Sequence, residues 1–253
     1  MTQAEKKIAL LIDGDNAQSK FIEGLLAEAG KYGKITIKRV YGDWTDNRLS
    51  GWKEQINKHS IRPMQKFAFA KGKNATDTAM IIDAMDILHS KTVSGFCIAS
   101  SDSDYTGLAQ RIKEEGIFVM GIGEAKKTTD AFVNACDIFI YTENLVSQGE
   151  NEDNQVKNAV KVNTKVELPQ SKITKKALDL QQLMNAFQMA VDDSGLAYMG
   201  VVGTALRKLD PSFDPRTYGF ATMTSLFKSL SQFFELEYKD NNTSAYIKLK
   251  NQK

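Results

Sequence analysis

Histidine and cysteine are nearly absent from this chain, with two of each in 253 residues. Cys97 and Cys136 lie far apart in sequence, each among apolar neighbours. They read as reduced core thiols of a cytosolic protein, which excludes a disulfide framework and a cysteine-ligated zinc site. His59 and His89 stand beside no acidic motif, which argues against chemistry driven by a histidine acid or base. Long apolar runs are missing as well. The longest reach strand length only, too short to cross a bilayer. The opening Met1-Thr-Gln-Ala-Glu-Lys-Lys has neither the apolar stretch nor the small-residue cleavage site of a secretory signal, so a cytoplasmic location is expected. Charge of one sign is also scarce. A formal net charge of +2 does not by itself argue for nucleic acid, and such a claim must rest on local patches. What is left is a globular composition, 42% apolar and 25% charged, with length for one or two domains.

Between residues 7 and 145, short β-rich runs alternate with amphipathic stretches. Strands are predicted at 7–12, 35–41, 61–67, 95–100, 117–122 and 137–141. Helices are predicted near 18–29, 47–58, 76–90, 104–115 and 128–135. The runs Ile8 to Ile12, Phe96 to Ala99 and Ile117 to Ile122 are nearly all apolar, as strands covered on both faces of a parallel sheet must be. The alternating order predicts an α/β domain with right-handed crossovers. In such sheets the ligand crevice lies outside the carboxyl ends of the strands.

From about Ser147 to Ser171 the pattern fails. No aromatic residue and no sustained apolar stripe occurs there, as expected of a flexible linker. Beyond it, Leu178, Leu180, Leu183, Met184, Phe187 and Val191 form one helical stripe. Further helices are predicted at 199–209 and from Thr222 to Phe233, then strands at 234–239 and 244–249 around Asp240-Asn241-Asn242. Three helices and a hairpin are the order of a winged helix-turn-helix.

Two of the predicted strands end in acids: Asp13-Gly-Asp-Asn16 follows Ile8 to Ile12, and Ser101-Asp-Ser-Asp104 follows Phe96 to Ala99. Carboxylates converging on one sheet edge repel unless they are solvated, partly protonated or bridged by a cation. Each acid also has a plainer explanation. Asp13 could form a turn, Asp15 or Asn16 could cap the next helix, and Asp102 or Asp104 could cap the helix beyond them. A serine would serve as well for that second cap, so two acids exceed what it needs. Both clusters at strand ends of one domain favour a shared site. Asp77 offers a third carboxylate, either as a helix first-turn acid favoured by the dipole or aimed at the same crevice. Glu124, just past a strand, is a further candidate. Asp83 and Asp86 point away from Asp77 at about 100° per residue and are expected on a solvated face. Carboxylates with amide and hydroxyl oxygens, and without His or Cys, suit Mg²⁺ or Mn²⁺ better than Zn²⁺. Metal-activated water acting on a phosphodiester fits that donor set. Lys66, Lys71 and Lys73 are a solvated loop on one reading and phosphate contacts on the other.

Four short segments together resemble a known family. Ile-Asp13-Gly-Asp-Asn16, Gly72-Lys-Asn-Ala-Thr-Asp77, Ser101-Asp102-Ser-Asp104-Tyr and Ala135-Cys-Asp-Ile-Phe-Ile-Tyr141 resemble, in order and spacing, the NYN domain of the PIN-like nuclease superfamily, in its LabA-like branch. The resemblance implies a Rossmannoid, mostly parallel sheet over residues 1–146 and divalent-metal-dependent cleavage of RNA. Its metal-site acids fall on Asp13, Asp77, Asp102 and Asp104, with Asn16 as a supporting polar residue. Gly203 to Phe213, followed by Asp214-Pro-Arg216-Thr-Tyr218-Gly-Phe220 and the Leu226-Phe-Lys-Ser-Leu helix, is similar to the OST-HTH or LOTUS winged-helix domain. That likeness covers residues 172–253, with 147–171 as the linker, and implies RNA as partner, or in some members a protein. Lys228 and Lys239 are the contact candidates of this domain, while Arg216 and Tyr218 suit a structural role equally well.

The reading is therefore a metal-dependent ribonuclease with an RNA-binding module, using Mg²⁺ or Mn²⁺ and contacting RNA through Lys71, Lys73, Lys228 and Lys239. A non-catalytic RNA-binding regulator that recruits a protein partner is the alternative. A phosphatase of the haloacid dehalogenase type also starts from Asp-x-Asp after a strand. It usually has Thr or Val two residues after the second Asp, whereas Asn16 and Ala17 follow Asp15 here.

Overall fold

The protein is described by a computed structural model covering residues 5–65, 75–145, 177–239 and 243–250. The chain divides into two compact units, Met1–Val146 and Ser147–Lys253. The expected linker at 147–171 lies outside the described residues, as do Lys66, Lys71 and Lys73.

The first unit runs β1 (Lys7–Asp13), α1 (Ile22–Gly30), β2 (Lys34–Gly42), α2 (Trp52–His59), β3 (Arg62–Gln65) and α3 (Ala75–Ser90). It continues with β4 (Gly95–Ala99), α4 (Thr106–Glu114), β5 (Phe118–Gly123), α5 (Asp130–Ala135) and β6 (Ile138–Tyr141). The six strands form one sheet in the order β3-β2-β1-β4-β5-β6, and every neighbouring pair is parallel. Strand order reverses between β1 and β4, so their carboxyl ends flank the topological switch point.

Alternation along β1 explains why both faces are covered. Ile8, Leu10 and Ile12 join the core beneath α1 and α2, with Ile22, Leu25 and Trp52. Ala9 and Leu11 face the other way, into the core of α3, α4 and α5, with Met80, Tyr105 and Phe132. Asp13 is next in the Ala9–Leu11 series, which sends its side chain toward α3. The sharp exit from β1 needs Gly14. A Cβ there would stand 2.7 Å from the carbonyl oxygen of Tyr41, to which the Gly14 N–H donates at 2.8 Å.

The second unit runs α6 (Leu180–Ala190), β7 (Ala197–Tyr198), α7 (Met199–Leu209), α8 (Met223–Ser229), β8 (Phe234–Lys239) and β9 (Ser244–Leu249). Its small antiparallel sheet has the order β7-β9-β8. Leu183, Phe187, Val202, Leu206, Phe227 and Ile247 pack between helices and sheet, giving the expected winged-helix arrangement. The third helix stops at Ser229, short of the predicted Phe233. The Ser229 hydroxyl donates to the Leu226 carbonyl at 2.7 Å, a local bond that competes with the helical ladder. Leu230 and Phe233 still reach the core from the turn that follows. The two-residue β7 was too short to show a period.

Candidate functional site

The carboxyl ends of β1 and β4 and the first turn of α3 meet in one acidic site. Oxygen atoms of Asp77, Asp102 and Asp104 all lie within 4.8 Å of one another. Asp77 and Asp102 are partly buried, and Asp104 is exposed. The structure thus brings together three of the four acids expected to bind a metal. Asp13 lies outside this trio.

Asp13 is fully buried at the end of β1. One carboxylate oxygen accepts the backbone N–H groups of Asp15 and Asn16, each at 3.2 Å. The other accepts the Asn16 side-chain amide at 2.7 Å and the Ser100 hydroxyl at 2.8 Å. A carboxylate offers roughly four lone-pair positions, and these four donors occupy them. Burial raises its pKa most strongly and repulsion from Asp77 adds to that, against the hydrogen bonds of Asn16 and Ser100. This closed environment also disposes of the dehalogenase-type reading, whose first Asp must be open to attack a substrate.

Ser100 links Asp13 to the next ligand position. Besides donating to Asp13, its hydroxyl accepts the Asp102 N–H at 3.1 Å. Asp102 in turn accepts the Asp104 N–H at 2.9 Å, capping the short turn Ser103–Tyr105. The capping explanation of Asp102 is therefore right, and it coexists with a place in the trio, because the cap uses one oxygen. Asp77 accepts the hydroxyl of buried Tyr105 at 2.8 Å. Its pKa is raised, first by burial and then by Asp102, Asp104 and Asp15, against the lowering effect of the Tyr105 bond. Burial and the surrounding carboxylates push the Tyr105 phenol up as well, so it stays a donor.

Sequence reasoning missed Ser100 and Tyr105. Each is adjacent to the Ser-Asp-Ser-Asp motif, but nothing in a serine or tyrosine beside acids says which carboxylate it will reach. The expectation for Asp83 is overturned. It is no solvated residue: Arg39 pairs with it and the buried Tyr41 hydroxyl donates to it, pinning α3 to β2. Two β2 side chains separated by one residue share a face, and that face meets α3. Asp86 is exposed, as expected. Asp15 is exposed. Glu124 stays apart from the trio. It accepts from Gln18 at 3.1 Å and Lys127 at 3.0 Å, and these partners outweigh burial to hold it below the usual range.

In the second unit, Arg216 and Tyr218 serve the fold. Arg216 donates to Asp214 from both Nε and Nη2, and Tyr218 packs in the core beside Phe213, ring centroids 5.4 Å apart. Lys228 and Lys239 are exposed, the latter with its ammonium 4.8 Å from the centre of the Tyr246 ring. Among the described residues, no helix is long and apolar enough to cross a membrane.

The donor chemistry fits a hard divalent cation: three carboxylates close together, with no histidine or cysteine among them. Repulsion within the trio is what such a cation would relieve.

Comparison with known proteins gives the site its family. The chain is similar to a protein of unknown function from Vibrio parahaemolyticus, at 19% identity and TM-score 0.47, over 56% of this chain and 96% of that one. It is also similar to an uncharacterized protein from Nitrosomonas europaea, at 26% identity and TM-score 0.29, over 37% of this chain and 95% of that one. No curated protein matches it. Family models of the NYN domain and of the OST-HTH/LOTUS domain match residues 7–146 and 172–245. NYN domains are typically metal-dependent nucleases, and OST-HTH/LOTUS domains bind RNA. With more than half its length matched, the chain belongs to the NYN domain family and carries an OST-HTH/LOTUS domain after it.

Proposed function

We propose that the protein is a divalent-metal-dependent ribonuclease whose C-terminal domain holds the RNA. The observation that carries this reading is the convergence of Asp77, Asp102 and Asp104 within 4.8 Å at the switch point of a parallel NYN sheet. On this reading residues 1–146 are the nuclease domain and 172–253 the RNA-binding domain, with 147–171 as the connector.

Asp77, Asp102 and Asp104 would hold Mg²⁺ or Mn²⁺. When bound, such an ion polarises a phosphoryl oxygen, offsets its charge and lowers the pKa of a coordinated water. The remaining chemistry belongs to the chain. Tyr105 fixes the rotamer of Asp77 by its hydrogen bond. Ser100 couples Asp13 to the Asp102 backbone, and Asn16 locks the Asp13 carboxylate from the open side. Asp13 contributes fixed negative charge behind the three ligands, and joins them directly only by giving up Ser100 or Asn16.

The test is incubation of the purified protein with labelled single-stranded, duplex and structured RNAs, in Mn²⁺, Mg²⁺ or EDTA. An Asp102→Asn control excludes a contaminating nuclease, and asparagine keeps the cap. Metal-dependent cleavage that the variant loses is expected. RNA binding without cleavage under every condition replaces this reading with a non-catalytic RNA-binding regulator.

A further inference from the structure

Beside the acidic trio, on the α1 and α2 side of the sheet, lies a groove of about 410 Å³. Its walls come from the loop after β1, the short turn Asn47–Leu49 and the loop after β5. Buried Leu49 and Trp52 line it, and three cations surround it: Lys20, Arg48 and Lys127. Asp15 marks the junction with the acids. It lines the groove, and its charge is felt by Asp77 on one side and by Arg48 on the other.

We propose that this groove carries the phosphodiester backbone of the RNA strand on one side of the scissile bond, with Lys20, Arg48 and Lys127 as its phosphate contacts. The inference rests on the nuclease reading above.

A polyanion approaching Asp13, Asp15, Asp77, Asp102 and Asp104 is repelled over every path that lacks compensating cations. The groove supplies them next to the acids. The three cations exceed the two carboxylates in its lining, Asp15 and Glu124. Their present partners hold them loosely. Arg48 pairs with Asp46 at 2.8 Å and Lys127 with Glu124 at 3.0 Å, and the two cationic side chains are 76% and 60% exposed. Exposed pairs of this kind contribute little, so both cations can turn to a phosphate. The Lys20 ammonium stands 4.8 Å from the centre of the Phe21 ring, and the residue is exposed. Gln18 already holds Glu124 at 3.1 Å, so Glu124 keeps a partner when Lys127 turns away. The volume is that of a small-molecule pocket, suited to a nucleotide-sized piece of single strand.

A second basic concavity, lined by Lys6, Lys31, Lys34 and Lys38, lies at the amino ends of β1 and β2. It is one strand length from the acids. Lys31 is committed to buried Glu28, and Lys38 to the His59 carbonyl. It serves as the internal control.

The experiment uses the full chain and a labelled single-stranded RNA, with binding read by fluorescence anisotropy in EDTA across a KCl series. Each phosphate contact on a single strand contributes roughly 0.7 to the slope of log K against log salt. The triple variant Lys20→Gln, Arg48→Gln, Lys127→Gln should therefore lower that slope by about 2. In Mn²⁺ it should raise KM for cleavage more than it lowers kcat, since phosphate contacts away from the scissile bond bind ground and transition states alike. Lys6→Gln with Lys34→Gln should change neither. Restoring Arg48 in the triple variant should recover part of the slope. Wild-type slope and KM in the triple variant, with cleavage intact, overturn the groove and leave the nuclease reading standing. A lowered slope in a protein that cleaves nothing upholds the groove and removes the nuclease reading.

Discussion

Replacing Asp77 with asparagine should leave the ion-free protein at least as stable as the wild type while abolishing its response to metal. Asp77, Asp102 and Asp104 place carboxylate oxygens within 4.8 Å of one another. A pair of unit charges at that distance repels by about 0.9 kcal/mol at the dielectric of water and about 3.5 kcal/mol at an effective value of 20. Asp104 is exposed and the other two are partly so, which favours the lower figure. Two pairs involving Asp77 then give about 2 kcal/mol of relief when its charge is removed. Against this, the Tyr105 hydrogen bond loses its ionic character, at about 1 kcal/mol. The first-turn position of Asp77 in α3 adds a loss of about 0.5 kcal/mol with the helix dipole. The balance is near 0.5 kcal/mol in favour of asparagine, or about 2 °C in a domain of this size. Mn²⁺ at a hundred times its Kd should stabilise the wild type by about 2.7 kcal/mol and the variant hardly at all. The order of melting temperatures should therefore reverse between EDTA and Mn²⁺, as read by calorimetry or near-UV dichroism. A variant that melts several degrees below wild type in EDTA, or gains as much from Mn²⁺, refutes the argument that these acids form a strained cation site.

Tyr105→Phe removes the hydrogen bond that sets the Asp77 rotamer, and should raise the Mn²⁺ concentration for half-maximal stabilisation by about tenfold; an unchanged metal titration would show that Tyr105 only fills space. Arg216→Ala leaves the buried Asp214 carboxylate without its ionic partner and should cost about 3–5 kcal/mol. Urea unfolding should show that loss in the C-terminal transition alone, and a shift of both transitions contradicts it. The pH dependence has a defined sign. Burial, with repulsion, raises Asp13 and Asp77 above the ordinary 3.8, so the folded state holds these protons more tightly than the unfolded chain. Their contribution to metal-free stability is greatest below 3.8 and falls as pH rises through the elevated folded values. Urea unfolding of wild type minus that of Asp77→Asn isolates the Asp77 share, and a difference that grows in favour of wild type as pH rises rejects it.

The parallel sheet could be read in the sequence because its central strands are buried on both faces. Ile8 to Ile12 and Phe96 to Ala99 have no polar positions to blur them; the first runs straight into Asp13, and the second is followed by two serines and then Asp102. Strand edges and short elements were less legible. The Leu230 and Phe233 positions fit a helical stripe, yet the helix ends at Ser229, before them. At the site, the sequence supplied the acids and could not supply their ranks. Asp13 and Asp102 look equivalent as strand-end carboxylates. Their difference arises from register: Asp13 completes the inward series of β1 and meets Ser100 across the neighbouring strand, whereas Asp102 lies three residues past the end of β4. Asp83 misled for a related reason. Helical spacing placed it away from Asp77, correctly, but the face it occupies is covered by Arg39 and Tyr41 of β2, a tertiary event that spacing does not contain.

The two acid-ended strands pose an electrostatic problem that the fold solves in two different ways. Asp13 is solved locally: four donors from Asp15, Asn16 and Ser100 satisfy its oxygens, so its charge is held in place whether or not an ion is present. Asp77, Asp102 and Asp104 are left close together; the Tyr105 hydroxyl donates to Asp77 and the Asp104 N–H to Asp102, hydrogen bonds that orient carboxylates without cancelling their mutual repulsion. A fold that needed these residues only as caps and turns would gain by neutralising one of them, since Asn caps as well as Asp. Keeping all three as acids makes sense when a cation is the missing partner, and the reversal of stability expected for Asp77→Asn is the direct measure of that strain.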